Sequence, residues 1–165
     1  MQMTLAHIGQ RDSAGGKKTP TGKPGGKSAS RDALENVTQM YLERASTFAR
    51  TQAQVFRSEE SFWEWVDKQQ GRTPVQTVLL DSRGKLLSSE EFAAWIGARR
   101  EDGLQHLALA IGPADGWSDA SRKRASLLLS LGPMTLAHAL ARLVLAEQIY
   151  RASTILTGHP YHSGH

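Results

Sequence analysis

His106-Leu107-Ala108-Leu109-Ala110-Ile111-Gly112-Pro113-Ala114-Asp115-Gly116 is the stretch on which the fold turns. After His106 the run is wholly apolar and of strand length, and Gly-Pro then prevents its continuation as helix. A strand without a polar face has to be covered on both sides, as in a parallel sheet held between helices. Upstream, Val75-Gln76-Thr77-Val78-Leu79-Leu80-Asp81 repeats the pattern, with Arg83-Gly84 as its turn. Between the two runs, Ser88-Ser89-Glu90-Glu91 caps a helix carrying Phe92, Trp95 and Ile96. Downstream come a short helix over Ser118 to Arg124, a strand over Leu127 to Leu131, and a long helix from about Met134 to Leu156.

The amino-terminal half continues the alternation. Met3 to Gly9 reads as a short strand ending at a glycine turn. Ser30-Arg31-Asp32-Ala33 opens a helix in which Leu34, Val37, Tyr41, Leu42 and Ala45 recur at helical spacing. Gln54-Val55-Phe56 is a strand. A further helix starts at Ser58, buries Phe62, Trp63 and Val66, and stops near Gly71. Alternating β and α units predict an α/β fold, a mostly parallel sheet with helices on both faces, in one domain over residues 1–165.

The formal net charge is +4, from 20 Lys and Arg against 16 Asp and Glu. Arg11, Lys17, Lys18, Lys23 and Lys27, opposed by Asp12 alone, account for all of it, so the rest of the chain is balanced. Gly15, Gly16, Gly22, Gly25 and Gly26 share that stretch, which is expected to form a flexible loop over about residues 10–30. Cysteine is absent, which excludes disulfides, thiolate metal sites and cysteine nucleophiles. No run approaches the ~18 apolar residues of a membrane span. The first residues lack the layout of a signal peptide, and a cytoplasmic location is expected.

In open α/β sheets ligands gather beyond the carboxyl ends of the strands. Leu80-Asp81, Ile111-Gly112-Pro113 and Leu131-Gly132-Pro133-Met134-Thr135-Leu136 are three such ends. There, glycine admits a close approach and proline stiffens the loop. Neither G-x-G-x-x-G nor G-x-x-x-x-G-K-[ST] occurs, which argues against a dehydrogenase or a P-loop enzyme. The last helix is apolar nearly all round, at Leu136, Leu140, Leu143, Val144, Leu145 and Ile149, and a partner subunit is its expected cover. His138 and Arg142, four apart, place two donors on one face beside the glycine loop, and Glu147 and Arg151 form an ion pair. The tail His159-Pro160-Tyr161-His162-Ser163-Gly164-His165 has metal-like histidine spacing but no carboxylate or thiolate, so no metal site is expected. Pro160 and Tyr161 should instead fold it back onto the body.

Read together, Leu131 to His138, Arg142 to Ala152 and His159 to His162 resemble the carboxyl-terminal signature of the ribosomal RNA large subunit methyltransferase H family. Thr77 to Lys85 and Leu109 to Gly116 are similar to that family's two upstream motifs, in order, and Leu5 to Gly9 to its opening strand. The resemblance covers nearly the whole chain. It implies a SPOUT-type α/β fold with a carboxyl-terminal trefoil knot, and a homodimer that uses S-adenosylmethionine to methylate N3 of a pseudouridine in large-subunit rRNA on assembled ribosomes. Carried over, the cofactor contacts are Leu80, Gly112, Leu131, Gly132, Pro133, Met134, Thr135 and Leu136. The residues for the acceptor side are His138, Arg142, Tyr161 and His162, with the substrate site built across the dimer. A SPOUT enzyme acting on tRNA and a non-catalytic ribosome- or RNA-binding protein are the alternatives. The chain departs from the family pattern at Gly112-Pro113, where Gly-Gly is common, and at Ala137-His138, where Pro-His is common. It departs again after His162, where a basic residue is usual and Ser163 stands.

Overall fold

A computed structural model describes residues 1–9 and 26–162. Its elements are β1 (Gln2–Ile8), α1 (Gly26–Ser46), β2 (Thr51–Phe56), α2 (Glu59–Gln70), β3 (Val75–Leu86), α3 (Ser89–Glu101), β4 (His106–Ile111), α4 (Asp119–Arg124), β5 (Leu127–Ser130), α5 (His138–Leu156) and a 3₁₀ turn, Pro160–His162. The strands form one sheet in the order β2-β1-β4-β3-β5, and every pair is parallel. The apolar run after His106 forms β4, which is the middle strand and is buried along its whole length.

Side-chain alternation assigns each half of β4 to a separate core. Leu107, Leu109 and Ile111 join Met3 and Leu5 of β1 in a cluster with Leu42 and Ala45 of α1, Phe92 and Ile96 of α3, and Leu145 and Ile149 of α5. Ala108 and Ala110 face the other way. With Ala6 they leave room for the rings of Phe62 and Trp63 of α2 and for Trp117. The helices on both faces are thus the expected architecture.

Two helices begin where their serines direct. Ser58 and Ser88 each accept a hydrogen bond from the backbone N–H three residues on, and each closes a full capping box. The long helix begins later than its apolar spacing predicts, at His138 rather than Met134, because residues 131–137 form a loop with Ala137 in an extended N-cap conformation. The first helix begins earlier, at Gly26, so Gly26 to Ser30, expected as part of the glycine-rich loop, are helical. The rest of that loop, residues 10–25, lies outside the described residues.

Arg83-Gly84 does not turn the chain out of the sheet. β3 continues to Leu86, and the register shows how: both Leu80 and Lys85 pair with Leu129 of β5, so Asp81 to Gly84 form a bulge. A Cβ at Gly84 would stand 2.6 Å from the carbonyl carbon of Leu128, a close approach that only glycine permits. α1 and α3 pack along one side of α5, leaving Leu140 (38% exposed) and the half-buried Leu143 and Val144 as its outer apolar surface.

Candidate active site

The three unusual strand ends come from adjacent strands. Leu80 pairs with Ile111 on one side and with Leu129 on the other, so Gly112 and the loop from Leu131 to Leu136 start within two residues of the same level. Each end is locked locally. Ser130 Oγ lies 3.2 Å from both the N–H and the carbonyl of Gly132, where φ is +129°, so the hydroxyl bridges the start of the loop. Gly116, at φ +86°, donates to the Pro113 carbonyl at 2.9 Å, closing a turn that carries Trp117 into the core. The Trp117 indole N–H then donates to the Leu80 carbonyl at 3.1 Å. This one bond joins the β3 and β4 ends.

Below that level, Asp81 is held by charge. Its carboxylate, 5% exposed, accepts from Arg122 Nε at 2.6 Å and from the Arg83 backbone N–H at 2.9 Å. Burial works to raise its pKa, but these donors and the Arg122 charge outweigh it and hold the carboxyl below its ordinary range. Beside the loop lies a cleft of about 300 Å³ lined by Leu86, Ser89, Phe92, Leu131, Val144 and Gln148 among others. Its lining mixes apolar side chains with the polar Ser88, Ser89, Ser130 and Gln148.

The four acceptor-side candidates fall into two pairs within one chain. His138 and Arg142 stand at the start of α5. His138 is hydrogen-bonded to the Gly112 backbone and meets His7 of β1 edge-on, ring centres 5.5 Å apart. Burial lowers its pKa first, the Arg142 charge lowers it further, and the Gly112 bond partly offsets both. Arg142 is not a free donor beside the loop, as its spacing suggested. Its guanidinium is held by Glu35 of α1, with N···O distances of 2.8 and 3.1 Å. Tyr161 and His162 dock farther along the helix. The Tyr161 hydroxyl donates to Glu147 Oε1 at 3.1 Å, nine residues past His138, roughly 13 Å along the helix axis. Its ring packs on Tyr150 at 4.6 Å, and burial followed by hydrogen bonds with Tyr41 and Glu147 push its phenol well above its ordinary pKa. His162 Nε2 sits 2.8 Å from Glu90 of α3. The tail folds back, as expected. The Glu147–Arg151 pair also forms, at 2.8 Å.

Residues that the sequence reading passed over also shape the site: His7, Glu35, Glu90, Trp117 and Arg122. His7 alone left a trace in the sequence, as an imidazole in a buried strand just before the closing Gly9. Among the described residues no group of three His, Asp or Glu side chains is placed to hold a metal, and no helix is long and apolar enough to cross a membrane.

In this parallel α/β sheet three loops follow neighbouring strands, the last running into a long helix. Residues 26–162 match the family model described as "Predicted SPOUT methyltransferase", and the chain belongs to that family. Among individual proteins, it is 49% identical over 133 residues to the ribosomal RNA large subunit methyltransferase H of Koribacter versatilis (strain Ellin345), covering 81% of this chain and 90% of that one. It is 56% identical over 85 residues to the protein of the same name from Brucella ovis (strain ATCC 25840 / 63/290 / NCTC 10512), 52% of this chain and 50% of the other. A solved structure, the SpoU methyltransferase AviRb from Streptomyces viridochromogenes in complex with the cofactor AdoMet, aligns over 90% of this chain and 59% of its own. The two are 14% identical, with a TM-score of 0.45.

Proposed function

We propose that this chain is a cytoplasmic, homodimeric methyltransferase that uses S-adenosylmethionine to methylate N3 of a pseudouridine in large-subunit rRNA, with assembled ribosomes as the substrate. The observation that carries the reading is the convergence of Leu80, Gly112 and Leu131 to Leu136 at the carboxyl ends of three adjacent parallel strands. The substrate class is supported by the names of the relatives, ribosomal RNA large subunit methyltransferases.

The residues present fit the cofactor. Beside Gly132 the space where a Cβ would stand is open, and the neighbouring cleft offers apolar walls to an adenosine and polar groups at its rim. Leu80, Gly112, Leu131, Gly132, Pro133, Met134, Thr135 and Leu136 would hold it, mostly through backbone. When bound, S-adenosylmethionine supplies a methyl carbon on a sulfonium, so that the new N–C bond forms as the C–S bond breaks and a neutral thioether leaves. The chain then has to place donor and acceptor and dispose of one proton. Within one subunit Tyr161 and His162 stand away from His138, and a homodimer lets the tail of one subunit complete the acceptor side of the other. Carboxyl-terminal threading in a trefoil knot belongs to the same reading.

Incubation with methyl-labelled cofactor and either ribosomes or tRNA tests it. Label in large-subunit rRNA, at a pseudouridine, is the expected result. Label in tRNA alone would make this a tRNA enzyme. Binding to ribosomes without cofactor affinity would make it a non-catalytic RNA-binding protein.

A further inference from the structure

We propose that His138 Nε2 is the atom that takes the proton from the acceptor nitrogen, and that His7 is a positioning residue that holds the His138 ring for that task. The inference rests on the methyl-transfer reading and deepens it.

His138 Nε2 is buried without a hydrogen-bond partner, which leaves Nδ1 as the nitrogen for the Gly112 backbone. We assign the hydrogen to Nδ1, the nitrogen that can give it to a carbonyl. A neutral imidazole protonated at Nδ1 presents a bare lone pair at Nε2. Gly112, whose backbone meets this ring, and Leu136, two positions before it in the chain, are both among the residues assigned to the cofactor.

The surroundings keep that lone pair available. The groups facing His138 are Arg142 on its own helix, with Glu35 of α1 on the guanidinium, the Gly112 backbone beyond β4, and His7 on β1. Burial and the Arg142 charge both disfavour a second proton on the ring at neutral pH. His7 stands against it edge-on, at an interplanar angle of 64°. The other candidates are occupied differently. Arg142 is permanently protonated, the Tyr161 phenol is committed to Glu147, and His162 is paired with Glu90. In the step, the acceptor N–H proton passes to His138 Nε2 and the nitrogen electron pair forms the bond to the methyl carbon. The electrons of the breaking C–S bond stay on sulfur, and the imidazolium later returns its proton to water.

Single-turnover methyl transfer to ribosomes at saturating S-adenosylmethionine, followed against pH in the full-length protein, tests the assignment. The native rate falls on the acid side as His138 is protonated. His138→Ala loses roughly 10²–10⁴-fold in rate and the acid limb disappears. His7→Ala retains cofactor affinity but moves the acid limb upward, because a more solvated His138 titrates closer to an ordinary value of about 6.5. His7→Phe, which keeps a ring edge against His138, returns the limb to its native place. An acid limb that persists in His138→Ala overturns the assignment of the base. A limb unmoved in His7→Ala, with only the melting temperature lowered, reduces His7 to packing. Absence of S-adenosylmethionine binding by the native protein would instead defeat the methyl-transfer reading itself.

Discussion

Glycine acts in opposite ways at the two loop positions assigned to the cofactor. A Cβ at Gly112 would stand 2.9 Å from Cε2 and Nε1 of Trp117, the same indole whose N–H holds the Leu80 carbonyl. Gly112→Ala therefore pushes on a buried ring and breaks the tie between two strand ends. We expect a loss of about 1–3 kcal/mol in denaturant unfolding, as for other overpacked cores, together with weaker S-adenosylmethionine binding by calorimetry. At Gly132 no atom lies within 4 Å of the same added group, but φ is +129°. There the obstacle to Gly132→Val is backbone strain, of order 1–3 kcal/mol, and its expected signature is lost S-adenosylmethionine affinity with the Trp117–Leu80 tie intact. Unchanged affinity in Gly132→Val would contradict the placement of the cofactor loop. Asp81 carries a pH prediction. Its pKa is depressed in the folded protein, so its contribution to stability is complete above the unfolded value, about 3.9, and is lost as pH falls through the lower folded value. Asp81→Asn should remove that part of the acid destabilisation, leaving a flatter stability curve below pH about 4, measured by thermal melts.

At the scale of elements, the helices differ in how they are started. α2 and α3 have serine capping boxes, whereas α5 begins at Ala137 with no side-chain cap hydrogen bond and no acidic residue in its first turn. The same helix carries His138 at its first position, so its uncapped end is also where the proposed base stands. Ala137→Ser should stabilise the protein by about 0.5–1 kcal/mol in urea unfolding, since Ala is a poor N-cap. A destabilisation would mean that the loop from Leu131 cannot accept the geometry of a capping serine. The serine boxes were plain in the sequence because a cap is a local device, readable within four residues. The bulge from Asp81 to Gly84 was not, since Arg83-Gly84 has the composition of a turn and only the backbone of Leu128 and Leu129 across the ladder shows why glycine is required. Likewise the early start of α1 at Gly26 runs against the composition of its own first turn.

Across the whole molecule, local patterning determined the sheet, and distance in sequence hid the site. β1, β3, β4 and β5 were legible because their apolar runs are bounded by glycine or proline, whereas β2 showed only as Gln54-Val55-Phe56. The partners of the site residues were not legible: Glu35 lies 107 positions from Arg142, and Trp117 lies 37 from Leu80. Only folding brings them together, and it brings them to the carboxyl end of a sheet whose own charges balance. The charge surplus resides in a stretch running from Arg11 into the first turn of α1, where Lys27 falls. This division assigns the stretch to the partner rather than to the chemistry. A basic segment beside a neutral body draws a phosphate backbone by counterion release, which appears as salt dependence. Removal of residues 15–25, which spares α1, deletes Lys17, Lys18 and Lys23. For every phosphate that is no longer neutralised, the log–log salt slope of ribosome binding should flatten by about 0.7–0.9, with S-adenosylmethionine affinity unchanged. An unchanged slope would show that the segment is a linker and that the charges meeting the ribosome lie on the folded body, with Lys123 of α4 and Lys85 of β3, both exposed, the next positions to alter.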